Sequence, residues 1–238
     1  VVILVMAIGA LGHLALRMIG GRIGLPLVGM VSGFISSIAT ISAMGHRSRE
    51  TPALLGSAVA GAVLSSFSTV LQITLILATI SQPTLHALMM PLVFGGIATL
   101  LCGGALTLNA LHRPVADAGK ISQSFSVKTA FYLAGIIAIV LLISAGLNQW
   151  FGQTGLVVGS AFVGLVDAHA PTVSVASFVA NHQLLPIEAA LPILAAFSLN
   201  TVSKAITAVV SGGKVFAWQV VPSLVIQVAA VWMGWLLF

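Results

Sequence analysis

The sequence predicts an all-α integral membrane protein built from two related repeats of four apolar segments each. Three observations carry this. First, the 238 residues are 59% hydrophobic and only 5% charged, whereas a soluble domain carries about 25% charged residues. So few charges cannot cover the surface of a soluble protein of this size. Second, the apolar residues fall in eight runs, 1–19, 24–45, 53–80, 85–111, 127–147, 155–180, 184–210 and 215–238, and a membrane-crossing helix needs about 20 such residues. None of the runs shows the strict alternation of a barrel strand. Third, the second half of the chain echoes the first at a nearly constant offset.

The echo runs as follows. At a shift of 131, Gly21 falls on Gly152, Gly24 on Gly155, Leu25 on Leu156 and Gly33 on Gly164. At a shift of 132, Thr40 falls on Thr172, Ser42 on Ser174, Ser66 on Ser198, Thr69 on Thr201 and Val70 on Val202. Pro91 meets Pro222 at 131 again. Repeat 1 then occupies 1–111, a polar linker 112–126, and repeat 2 127–238, with one extra residue around Asp167 to Pro171.

The net charge of +5 is not a nucleic-acid signal, because no basic stripe is interleaved with aromatics. Most Lys and Arg sit in short gaps between apolar runs, the pattern of topology-setting charge beside anionic lipid. The lone cysteine, Cys102, lies in an apolar run and allows no internal disulfide or Cys-pair metal site. The chain opens at Val1 inside an apolar run, with no charged leader and no cleavage site. It reads as a fragment lacking an N-terminal part.

Loop charge bears on topology. If all eight segments cross, the repeats are parallel and the loop cations split Arg47, Arg49, Arg113, Lys120 and Lys128 against Arg17, Arg22 and Lys214. If the second segment of each repeat is broken or re-entrant, each repeat crosses three times and the repeats are inverted. All eight loop cations then share one side, which the positive-inside rule favours. Segments 24–45 and 155–180 are also Gly-rich and interrupted, as re-entrant backbone requires. Non-helical residues are expected around Ser36–Thr40 and Asp167–Thr172.

Polar residues inside apolar runs mark the candidate site. The stretch Gly164-Leu-Val-Asp-Ala-His-Ala-Pro-Thr-Val-Ser-Val-Ala176 holds Asp167, His169 and Pro171. An intramembrane carboxylate is costly and reads as functional, and Pro171 removes a backbone donor beside it. The matching stretch of repeat 1 holds Ser36, Ser37 and Thr40, with Ser36 aligned on Asp167. Asn200, Ser203, Lys204 and Thr207 share one helical face, and Ser65, Ser68, Thr69 and Gln72 form the corresponding stripe of repeat 1. The expected ion- or substrate-binding set is Asp167, Lys204, Asn200, Ser36, Ser37, Thr40, Thr172 and His169. Packing accounts equally for the small hydroxyl residues, and snorkelling to the headgroups for Lys204. The alternatives to snorkelling are that Lys204 pairs with Asp167 or holds an anionic group inside the bundle.

No enzyme constellation is present. Asp, Glu and His are too few and scattered for a zincin or a triad, and Gly212-Gly213-Lys214 lacks the spacing of a phosphate loop. One intramembrane carboxylate is thin for a divalent-cation cage. No cofactor is expected.

The stretches "GFISSIATISAMGHRSRE" (33–50), "DAHAPTVSVA" (167–176) and "NTVSKA" (200–205) resemble a bacterial membrane domain of unknown function that often follows an MgtC/SapB-type domain in the same chain. Members of that family read closer to Gly-Leu-Val-Ser-Ser-Thr-Ala-Thr, with Ile38 here in place of the first Thr. They often carry Asp-x-Asp-Ala, with His169 here in place of the second acid. The resemblance implies a multi-pass protein of the bacterial inner membrane with an MgtC-like part before Val1. Taken together, the sequence points to a transporter or channel-like protein for an ion or small polar solute, its site between the repeats. A non-transporting membrane module that binds or regulates another membrane complex is the alternative. The sequence leaves a homo-oligomer open.

Overall fold

A computed structural model describes residues 24–111 and 154–237. The expected first and fifth segments and the 112–126 linker lie outside them, as do Arg17, Arg22, Arg113, Lys120 and Lys128. The described residues are helical, with no strand among them. In chain order the helices are α1 (Leu25–Glu50), α2 (Leu55–Ile80), α3 (Gln82–Leu111), α4 (Thr154–Gly164), α5 (His169–Ala180) and α6 (Ala190–Leu237). A short 3-10 turn, Pro52–Leu54, links α1 to α2. Leu25–Glu50, Pro52–Ile80, Gln82–Ala110 and Ala190–Leu237 are long and apolar enough to cross a membrane.

The residues form two compact units, one of 24–72, 90–111 and 204–237, the other of 73–89 and 154–203. In the first, α1 is not a straight rod. Ser36 has φ −166° and ψ 112°, an extended residue between two helical halves, α1a (25–35) and α1b (37–50). The Thr40 hydroxyl lies 2.9 Å from the Ser32 hydroxyl. On a straight helix residues eight apart are separated by about 12 Å along the axis, so the chain has folded back.

Packing against α2 gives the direction of each half. Ser68 Oγ donates to the Met30 carbonyl at 2.5 Å and Gln72 Nε2 to that of Phe34 at 3.0 Å, so α1a and α2 rise together. Thr69 donates to Ser37 Oγ at 3.2 Å, while Met44 packs lower down, against Gly61. Thus α1b runs antiparallel to α2. Segment 24–45 enters and leaves at one end, and Ser36 forms its tip. Thr69 lies about 21 Å along α2 from Leu55, roughly halfway up that helix.

Small residues permit this crowding. A Cβ on Gly29 would land on the Gly61 backbone and one on Gly33 on the Ser65 backbone. Between helices in lipid, association rests on such close packing rather than on removal of apolar surface from water. Ile41, Val59 and Phe216 are fully buried in the cluster this creates. Helix α3 runs antiparallel to α2, with Gly103 on Leu64 and Ala110 beside Gly56. The expected segments seven and eight are both present as the two halves of α6, which meet at Gly213 (φ 71°), where the left-handed backbone suits glycine and the chain turns back. The second half of α6 packs antiparallel on α3 through Gly95 on Val231 and Gly234 on Met90. The Arg49 guanidinium lies against Gly213. Arg47, Arg49 and Lys214 therefore gather at the end where the hairpin opens.

In the second unit, α4 and α5 are separated by the non-helical residues 165–168. Both expected interruptions are present, each narrower than foreseen. In α1 the break is Ser36 alone. Between α4 and α5 the helix has resumed by His169, so Pro171 sits in the first turn of α5 and does not make the break. A proline is tolerated there because first-turn amides have no intrahelical acceptor. Gly164 meets the Ala196 backbone as Gly33 meets that of Ser65. Both members of the second contact lie 131 positions after those of the first.

Candidate functional site

Two polar clusters result, one at each break. At the hairpin tip Ser36 behaves as a helix N-cap, with extended backbone and its Oγ accepting the Ala39 amide at 3.2 Å. The Thr40 hydroxyl lies 2.9 Å from the Ser36 carbonyl as well as from Ser32 Oγ, and Ser32 Oγ donates to the Gly29 carbonyl at 3.1 Å. The tip is thus tied by its own hydroxyls.

Lys204 reaches this tip. It is 0% exposed, and its ammonium donates to Thr69 Oγ1 at 2.9 Å. Thr69 in turn donates to Ser37 Oγ at 3.2 Å. Lys204 therefore does not snorkel to a surface, and a side chain of α6 is joined to α2 and, through Thr69, to α1. Gln72, 4% exposed, is held by its bond to the Phe34 carbonyl, and its Oε1 finds no hydrogen-bond partner among the described residues. Burying an amide oxygen without a partner is costly, and Gln227 Oε1 and Ser66 Oγ are in the same state. Thr69 and Gln72 lie outside the expected binding set. Their signal, the three- and four-residue stripe on segment three, is present in the sequence.

The second cluster is at residues 165–172. Asp167 Oδ1 accepts the His169 amide at 3.1 Å and Oδ2 the Ala170 amide at 3.0 Å. The His169 ring meets the same carboxylate, Nδ1 to Oδ1 at 2.5 Å. A carboxylate on the first amides of a helix also interacts favourably with the helix dipole. Asp167 thus restarts the interrupted helix, and His169 completes its coordination. The His169 Nε2 is buried without a partner among the described residues. Thr172 is fully buried and bonds the Ala168 carbonyl at 2.8 Å. Asn200 is buried on α6. Among the described residues no three His, Cys, Asp or Glu side chains come together as a metal site would require.

No curated protein and no solved structure matches the chain. A family profile does match, over residues 3–212. With most of its length inside that match, the chain belongs to the family described as a domain of unknown function, DUF4010.

Proposed function

We propose that this protein is a multi-pass, non-enzymatic membrane transporter or channel-like protein that moves an ion or small polar solute, with its site where the α1 hairpin tip meets α2 and α6. The observation that carries this is Lys204, a fully buried ammonium bonded to Thr69 beside the tip. Burying a charge costs several kcal/mol that its partners must offset, so an ionisable residue inside the membrane is read first as functional. Interrupted helices that end partway across a bilayer are a recurrent way of presenting backbone groups to a solute.

Inverted repeats with a re-entrant second segment are part of this reading. The matched contacts Gly33–Ser65 and Gly164–Ala196 support the repeat. The hairpin and the approach of Arg49 to Gly213 support gathering the loop cations on one side. The motif resemblance supports an MgtC/SapB-type protein of the bacterial inner membrane.

The test is flux in proteoliposomes holding the purified chain, across a panel of small ions and polar solutes. Faster passage than in protein-free vesicles, reduced by Lys204→Gln, is expected. Passage equal to the protein-free control across the panel would leave the non-transporting module as the better reading.

A further inference from the structure

We propose that the turn of α6 at Gly213 and the end of α1b form a docking surface for one anionic phospholipid, its phosphate held by Arg49 and Lys214 and an acyl chain laid along Trp218. This concerns what the membrane face of the protein binds, and it stands whether or not the protein moves a solute.

The chain supplies too few carboxylates for its cations. It has nine Lys and Arg against four Asp and Glu. Two of the acids are engaged where they stand. Asp167 accepts the His169 and Ala170 amides, and Glu188 accepts the Leu185 amide. Asp117 lies outside the described residues. Glu50 is exposed and pairs with neither Arg49 nor Lys214.

The fold holds those two cations together. A Cβ on Gly45 would strike the Ser211 hydroxyl and the Gly212 nitrogen, so the end of α1b is fixed against the turn of α6. One turn further along α1b, the Arg49 guanidinium lies 3.1 Å from where a Gly213 Cβ would stand. Lys214 is the next residue, its Cα about 3.8 Å from that of Gly213. Both side chains are exposed, and neither has a carboxylate partner among the described residues. Like charges this close repel, and an anion from outside offsets the repulsion. A phosphodiester matches the pair. The guanidinium offers a planar fork to two phosphate oxygens, and the ammonium adds a point charge.

The surroundings select a lipid over a free phosphate. Arg49 and Gly213 lie where α1 ends and α2 begins, at the membrane face of the bundle. Beyond Lys214 the second half of α6 exposes Val215, Trp218, Pro222 and Val225, one stripe at three- and four-residue spacing. Trp218 is 78% exposed and stands about 6 Å further along the helix than Lys214. That is the interfacial level at which Trp concentrates. A soluble anion leaves this stripe uncovered, whereas an acyl chain lies along it. The headgroup must also be anionic. A choline headgroup carries the same phosphate but brings a third positive charge to the two already there.

The test is a titration of the purified full chain in neutral detergent with phosphatidylglycerol, phosphatidylcholine or inorganic phosphate at fixed ionic strength. Melting temperature and the lipid retained in native mass spectrometry are the readouts. Phosphatidylglycerol should raise the melting temperature saturably by several degrees and leave one lipid bound, and phosphatidylcholine should do neither. Arg49→Gln and Lys214→Gln should each weaken the apparent affinity about fivefold, the worth of one cation at an anionic membrane surface. Glu50→Gln should strengthen it. Trp218→Ala should weaken binding of phosphatidylglycerol. All four changes are at exposed side chains, so folding is not at stake. Equal responses to the two lipids, or an affinity unchanged in Arg49→Gln and Lys214→Gln, overturns the proposal. A response to inorganic phosphate as strong as that to phosphatidylglycerol, and indifferent to Trp218→Ala, would make this a free-anion site and overturns the lipid as occupant. Flux does not enter these readouts, so an absence of flux removes the transporter reading alone, and an absence of lipid selectivity removes this proposal alone.

Discussion

The Lys204 ammonium bonds the Thr69 hydroxyl across 135 residues of sequence, and neither group reaches the surface. Thr69→Val keeps the shape of the side chain and removes the acceptor. Leaving a buried donor unmet costs about 1–3 kcal/mol, more for a charge. Thr69→Val should therefore melt several degrees lower, while Thr69→Ser stays near the parent. Equal melting of all three would mean that the bond contributes nothing.

The hairpin makes a prediction about sidedness. With Cys102 replaced by serine, single cysteines at Glu50 and Lys214 should label from the same side of the membrane. A cysteine at Gln82, beyond the far end of α2, should label from the other. Opposite labelling of Glu50 and Lys214 positions would restore eight full crossings.

Three glycines separate close packing from mere smallness. A Cβ on Gly33 or Gly164 strikes neighbouring backbone, whereas one on Gly104 meets nothing within 4 Å. Gly33→Ala and Gly164→Ala should each destabilise by about 1–3 kcal/mol, the usual cost of overpacking. Gly104→Ala should be neutral or stabilise by about 0.5–1 kcal/mol through helix propensity. Thermal melts of the three variants decide this.

Asp167 has a local task that can be weighed against a solute-binding one. Asp167→Ala should cost about 0.5–2 kcal/mol, the range for a lost helix cap. Asp167→Asn retains an acceptor oxygen and should cost less. If the carboxylate only restarts α5, Asp167→Asn protein should keep most of its flux in proteoliposomes. Loss of flux with stability intact would assign Asp167 to the solute.

These predictions draw unequally on sequence and on three-dimensional packing. The break near Ser36 is legible because glycine and paired serines interrupt an oily run, and the loop cations favour a segment that returns to its own side. That Thr69 meets Lys204 is not legible, because periodicity fixes which residues share a face but not which faces meet. Pro171 misleads for a related reason. A proline marks where a helix cannot continue and also where one can begin, and only the carboxylate–amide bonds of Asp167 distinguish the two. The reversal at Gly213 likewise depends on its left-handed backbone, which composition does not show.

The hairpin also has a consequence for biosynthesis. Two of its carbonyls, those of Met30 and Phe34, receive side-chain donors made 38 residues later. At about 5–20 residues per second, α1 waits a few seconds for Ser68 and Gln72. Until then the tip has only the bonds among its own residues 29–40, and the two carbonyls lack their later donors. The hairpin is complete only once residue 72 is made, which ties α1 and α2 into one unit of membrane integration.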